Sequence, residues 1–188
     1  MSQSSGKVRV AVDAMGGDFA PGEIVKGAVM AARQGDVAVT LVGQQDAMAA
    51  ALRTEGAPPD LLECVDAPDV IREGEAPALA IRHKKLSSIV VGTKLVKDGK
   101  ADAFVSAGSS GAVAAAAATY LGMLQGMERP TIGGGFSSFA PNIVIMDLGA
   151  NVDCKPHQLL SFAIAGTVYS RTVYGIARPS VGLLSTGS

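Results

Sequence analysis

The sequence predicts a doubly wound α/β domain, and three observations carry that prediction. Short apolar runs alternate with helical segments along the whole chain; the runs are continuous and rich in Val, Ile and Leu; and small residues, chiefly Gly, Ser and Ala, cluster at their carboxyl ends. Continuous apolar runs describe strands buried on both faces, the condition of a parallel sheet with helices packed on either side. The expected architecture is therefore a Rossmann-like, mostly parallel sheet with helices on both faces, in one domain spanning residues 1–188.

The elements follow in order. VRVAVD, Val8 to Asp13, is the first strand, and the segment from Pro21 to about Arg33 is its helix, with Pro21 suited to the first turn and Glu23 to its electropositive end. VAVTLVG precedes a helix from about Gln45 to Arg53, and LLECVDA is the third strand. The longest loop-like piece is APDVIREGEAPA, Ala67 to Ala78, which is expected to lie over the ligand side as a mobile flap. A helix within Ser87 to Asp98, the strand ADAFVSA, an alanine-rich helix, the strand IVIMDLGA, a helix from about Pro156 to Tyr174 and a last strand VGLLSTG complete the series. That last β-α unit is unfinished, so the chain reads as truncated after Ser188.

Composition excludes several classes. A formal net charge of −1 advertises no basic surface for nucleic acid. Two cysteines, Cys64 and Cys154, are too few for a disulfide framework and point to a reducing, cytoplasmic setting. MSQSSGK carries no apolar signal region, and no window holds about 18 uninterrupted apolar residues, the length a membrane-spanning helix needs. Cys154 and His157 would make half a structural zinc site, and no other Cys/His cluster exists, so no metal is expected.

Ligands of such sheets bind where the loops leave the carboxyl ends of the strands. Three turns stand there. In DAMGGD, Gly16 and Gly17 permit positive φ and close approach to a ligand, while Asp13 projects from the strand end and Asp18 follows. The alternative is a tight turn in which Asp18 bonds backbone N–H groups. In SAGSSGA, Ser106, Ala107, Gly108, Ser109, Ser110 and Gly111 lead into the alanine-rich helix, an arrangement that suits an anion. An ordinary serine N-cap accounts for it equally well. It matches neither a Walker A loop nor the dinucleotide fingerprint. GANVDCKP brings Asn151 and Lys155 to a further strand end, an amide donor and a cation for an anionic ligand. IRHKKLSS concentrates Arg82, Lys84 and Lys85, either as a solvated face or as a docking patch for an acidic partner.

DAMGGDFAPGEIVKGA, KLSSIVVGTKLVKDGKADAFVSAGSSGA, LGMLQGMERP, LGANVDCKPHQLLSFAIAGTVYSR and RPSVGLLSTG together resemble the bacterial phosphate acyltransferases of phospholipid synthesis, the PlsX family. The resemblance covers nearly the whole chain in the family's order, with Ser109 and Ser110 where the family has Asn-Thr and IGGGFSSF where a Leu-Pro-Thr-like element is expected. It implies a fold like that of the isocitrate and isopropylmalate dehydrogenases and an enzyme converting acyl-[acyl carrier protein] and inorganic phosphate into acyl phosphate, with no cofactor. For that chemistry phosphate is expected at Ser106 to Gly111, because a helix amino end follows them directly, with Gly16 and Gly17; the basic run Arg82, Lys84 and Lys85 is expected to dock the acidic carrier protein, and Asp13, Asp18, Asn151 and Lys155 are the catalytic candidates lining the cleft, with no role fixed for any of them. A homodimer is implied as well, with peripheral contact at the inner membrane face through a region outside this sequence, which would be the N-terminal portion of a longer family chain. Two other readings stay open from the residues alone: a non-catalytic anion- or nucleotide-binding module, and a phosphate acetyltransferase-like or dehydrogenase-like enzyme of similar architecture.

Overall fold

The structure, a computed structural model, describes residues 6–136, 140–151 and 153–185. Parts of IGGGFSSF, GANVDCKP and VGLLSTGS therefore lie outside the described residues. The chain divides into two compact units, residues 1–122 and 123–188.

In the first unit, β1 (Val8–Asp13), β2 (Val37–Gly43), β3 (Glu63–Asp66) and β4 (Ala103–Val105) form one sheet in the order β3-β2-β1-β4. Every pairing in it is parallel, with Val12 opposite Leu41 on one side and Val105 on the other. Helices α1 (Gly22–Gln34) and α2 (Gln45–Thr54) cover one face, where Val25, Val29 and Met48 pack with Val39 and Leu41. Helix α4 (Ser88–Lys97) covers the other, its Val91 and Leu95 meeting Ala11, Val42 and Ala101. Opposite faces of the same strands thus enter two separate cores, which is why their sequences are continuously apolar. Gly35 ends α1 in the left-handed conformation, and the Ser87 hydroxyl caps α4 by accepting from Val90 N. Gly92 on α4 leaves the space that the Phe104 ring occupies.

Pro21 stands just before α1 rather than inside its first turn. A further helix, α3 (Pro77–His83), occupies the end of the region expected to be loop and the start of the basic run. Gly74 and Pro77 read as loop punctuation, yet a proline at the first helical position starts a helix as readily as it ends one. Helix α5 (Ser110–Ala116) continues into a single π-helical turn, Ala117–Leu121.

The second unit departs from the expected pattern. β5 (Gly133–Phe136) and β6 (Ile143–Met146) pair antiparallel, with Gly133 opposite Met146, and α6 (Pro156–Tyr174) packs against them. IVIM was expected in the parallel sheet. Its actual partner is a glycine run, the composition least suggestive of a strand, but Gly133 and Gly135 sit where a side chain would strike Met146 or the Tyr174 ring. Residues 181–185, expected as a strand, form none; Leu183 and Leu184 are exposed.

Candidate functional site

The chain passes from β1 outward to β2 and β3, then returns so that β4 lies on the opposite side of β1. The reversal leaves a crevice between β1 and β4 at their carboxyl ends, and such crevices are where open α/β sheets bind ligands. DAMGGD and SAGSSG leave these two strands, and the structure brings them together. Asp13 is only 1% exposed; its Oδ1 accepts from Met15 N at 3.0 Å and its Oδ2 from Ser106 Oγ at 2.7 Å. The same Ser106 oxygen accepts from Gly108 N at 3.0 Å. A Cβ at Gly16 would lie 2.6 Å from Asp13 Oδ2 and 2.7 Å from Gly108 N, so the two backbones meet only because residue 16 has no side chain. Gly17, with φ of 101°, packs against Ala107.

The remaining groups of the second turn divide into used and open. Ser109 caps α5, its hydroxyl accepting from Ala112 N at 3.4 Å, so the serine N-cap is present. Among the described residues, the Ser110 and Gly111 amides and the Ser110 hydroxyl have no protein partner, as the first N–H groups of a helix lack one inside it. Pro77 of α3 flanks them, its Cγ 3.0 Å from where a Gly111 Cβ would stand.

The segment Ala67 to Ala78 thus ends beside SAGSSG, but it is pinned rather than a mobile flap. Lys84 Nζ donates to Val70 O at 2.8 Å and to Glu75 Oε1 at 2.6 Å, and Arg72 N donates to the same Glu75 oxygen. These bonds, the lysine's first, hold the Glu75 carboxyl below its ordinary pKa. Lys84 is consequently not a free member of the basic run: its partly exposed ammonium is committed to Glu75 and the Val70 carbonyl. Arg82 and Lys85 are exposed, as is Asp18, which makes no hydrogen bond among the described residues and does not close its own turn.

In the second unit, Asn151 Nδ2 donates to Pro130 O at 3.0 Å and to Asp147 Oδ1 at 3.1 Å. Asp147, at φ of 66°, also faces the Cys154 thiol, with Sγ 3.7 Å from Oδ2. Desolvation, then this carboxylate, pushes the Cys154 thiol above its ordinary pKa, which disfavours the thiolate a nucleophile needs. Gln158 Oε1 accepts from Lys155 N at 2.9 Å and steadies the start of α6. Lys155 and Arg129 line an open depression of about 410 Å³ with Glu128, Asp153, Cys154 and Gln158. His157 Nε2 lies 2.8 Å from Glu128 Oε2, which lowers the pKa of that carboxyl. Sequence reasoning singled out Asn151 and Lys155 but not Asp147, the residue that organises the turn; its signal was an aspartate at a strand end, as at Asp13. Among the described residues no cluster of three His, Cys, Asp or Glu side chains is arranged to hold a metal.

A four-stranded parallel sheet whose glycine turns meet at the reversal of strand order defines a Rossmann-like α/β protein. The phosphotransacetylase of Streptococcus pyogenes matches it with a TM-score of 0.60 at 19% identity, over 84% of this chain and 52% of that one. The chain belongs to the fatty acid synthesis protein family, whose sequence model matches residues 8–188. It is 49% identical over 180 residues to the phosphate acyltransferase of Pelotomaculum thermopropionicum, covering 96% of this chain and 52% of that protein. It is 47% identical over 182 residues to that of Salinibacter ruber, covering 95% and 54%. The chain thus spans about half the length of the curated relatives it matches.

Proposed function

We propose that this chain carries the phosphate-handling part of an acyl-[acyl carrier protein]:phosphate acyltransferase of phospholipid synthesis. The observation that supports it most is the pair of interlocked turns at the β1/β4 crevice, which leaves the Ser110 and Gly111 amides and the Ser110 hydroxyl open. A phosphate oxygen attacks the thioester carbonyl carbon; the C–O bond forms, the C–S bond breaks, and the carrier thiol leaves with acyl phosphate as the other product. Phosphate is the nucleophile, so the protein needs no activated serine or cysteine. Its tasks are to position an anion and to present fixed donors where negative charge develops. A thiol of pKa about 8.5 departs without strong acid assistance. Lys155 supplies a cation for the anionic reactants. Asn151, whose amide hydrogens are spent on Pro130 O and Asp147 Oδ1, offers no free donor of its own. Asp18, exposed beside Gly17, is the carboxylate nearest in sequence to the first turn that stays uncommitted among the described residues.

The acyl donor is read as an acidic carrier protein docking at Arg82 and Lys85, and the working enzyme as a cytoplasmic homodimer with peripheral membrane contact. Among the described residues no helix is long and apolar enough to cross a membrane.

Gly108→Val tests the phosphate site. Its Cβ would stand 3.3 Å from Gly16 Cα and 3.3 Å from Ser106 Oγ, so the turn must shift. Phosphate titration by calorimetry is expected to show at least about a tenfold loss of affinity; unchanged affinity overturns the assignment. For the docking surface, Arg82→Glu with Lys85→Glu is expected to raise the Michaelis constant for the carrier protein, and an unaltered constant identifies that patch as a solvated face.

A further inference from the structure

We infer that Asp13 is a positioning residue that acts through Ser106 to set the shape of the turn 106–111 and does not touch the reactants. Resting on the phosphate reading above, it reassigns Asp13 from cleft chemistry to a latch between the two turns. Both carboxylate oxygens are used within the protein, one by Met15 N and one by the Ser106 hydroxyl, and the residue is 1% exposed. Ser106 is equally committed. Its proton goes to Asp13 and its oxygen accepts from Gly108 N, so neither the Ser106 hydroxyl proton nor the Gly108 amide is left for an anion.

The chemistry of the pair explains why a carboxylate stands at residue 13. Two donors converge on it, and a carboxylate accepts at both oxygens, whereas an asparagine offers one acceptor and one donor. A charged acceptor shortens and strengthens the Ser106 bond, and the relay Gly108 N–H to Ser106 O–H to Asp13 reinforces itself. Drawing the Gly108 amide inward fixes the peptide planes immediately before Ser110 and Gly111. No side chain intervenes at Gly16, so a shift of the latch is transmitted directly from one backbone to the other.

The test is a cycle of Asp13→Asn, Ser106→Ala and the double variant, with Ser106→Thr as the conservative control. Phosphate affinity, the Michaelis constants for phosphate and acyl donor, and exchange of the Gly108 amide by NMR are the readouts. Each single variant is expected to weaken phosphate binding about tenfold while the acyl-donor constant stays within about twofold. The double variant is expected to lose about the same tenfold, because the two residues form one device. Ser106→Thr, which keeps the hydroxyl, recovers most of the affinity. A double-variant loss near a hundredfold, the product of independent effects, overturns the latch, as does an unshifted phosphate affinity in Ser106→Ala, which stands as the test where Asp13→Asn is too unstable to assay. If the wild-type chain binds no phosphate, the functional reading fails and the latch is judged by exchange alone. Faster exchange of Gly108 in Asp13→Asn and Ser106→Ala then upholds it, and unchanged exchange overturns it.

Discussion

At the amino end of the four-stranded sheet, Lys7, Arg9, Asp60, Glu63 and Lys100 line an open depression of about 600 Å³. At the carboxyl end the turns after β1 and β4 are packed so closely that Gly16 and Gly108 are in contact. The amino end is open and charged, yet its best-placed cation is already spent. Arg9 grips Asp102 through Nη2 at 2.7 Å and Nε at 3.1 Å, and gives Nη1 to Gly99 O. The carboxyl end has no cation in its turns and keeps backbone donors open. Charge therefore does not single out the proposed site; what distinguishes the carboxyl end is uncommitted amides held by committed ones.

The sharpest way to break this comparison is Gly16→Val. Its side chain would enter the space of Asp13 Oδ2 and Gly108 N, so urea unfolding is expected to show a loss of about 1–3 kcal/mol or more. Phosphate binding measured by calorimetry should be abolished, and retention of wild-type affinity would show that the turns tolerate separation. Next in size is Lys84→Met, which releases Glu75 and the Val70 carbonyl. Limited proteolysis should cut within residues 70–75 several-fold faster, with a smaller loss of phosphate affinity through Pro77 and Gly111.

At the amino end the expected effects are smaller. Its hydrogen bonds to Arg9 depress the Asp102 carboxyl from 3.8 to about 2. A depressed folded-state pKa contributes stability that is complete above the unfolded value and disappears as pH falls toward the folded one. Melting temperature should therefore decline between about pH 4 and pH 2 in part through this group, and Asp102→Asn should flatten that portion of the profile. An unaltered acid slope would mean the pair is no tighter folded than unfolded. Smallest of all, Lys7→Ala with Lys100→Ala should leave phosphate affinity within about twofold, since an exposed charge a sheet's length away is screened. A larger fall would make the amino end a binding surface and reverse the comparison.

Much of the first unit was legible in the sequence because burial on both faces writes itself into composition. VRVAVD, VAVTLVG and the helix within Ser87 to Asp98 needed only the run length and its bounding polar residues. The two turns were legible as strand ends with small residues, and their meeting as a corollary of where such sheets bind ligands. What the pattern did not carry was partnership. Ser106 looked like an anion ligand, and only the contact with Asp13 shows its hydroxyl occupied. Lys84 looked solvated because Glu75, nine positions earlier, falls outside any helical spacing. The β5–β6 hairpin was hidden for a related reason: Gly133 to Gly135 satisfy a close approach of Met146 and Tyr174, a demand made by distant residues that leaves no propensity signal at the glycines.

Asp13 and Ser106 stand 93 positions apart in the chain. Bringing them together closes a long loop, an entropic cost met only once β2, β3 and the intervening helices have docked. During synthesis the carboxylate is made early and waits without its hydroxyl until Val105 has paired with Val12. The Ser106–Asp13 bond is accordingly a reporter on the closure of β4 against β1, since neither partner can find the other before those strands meet.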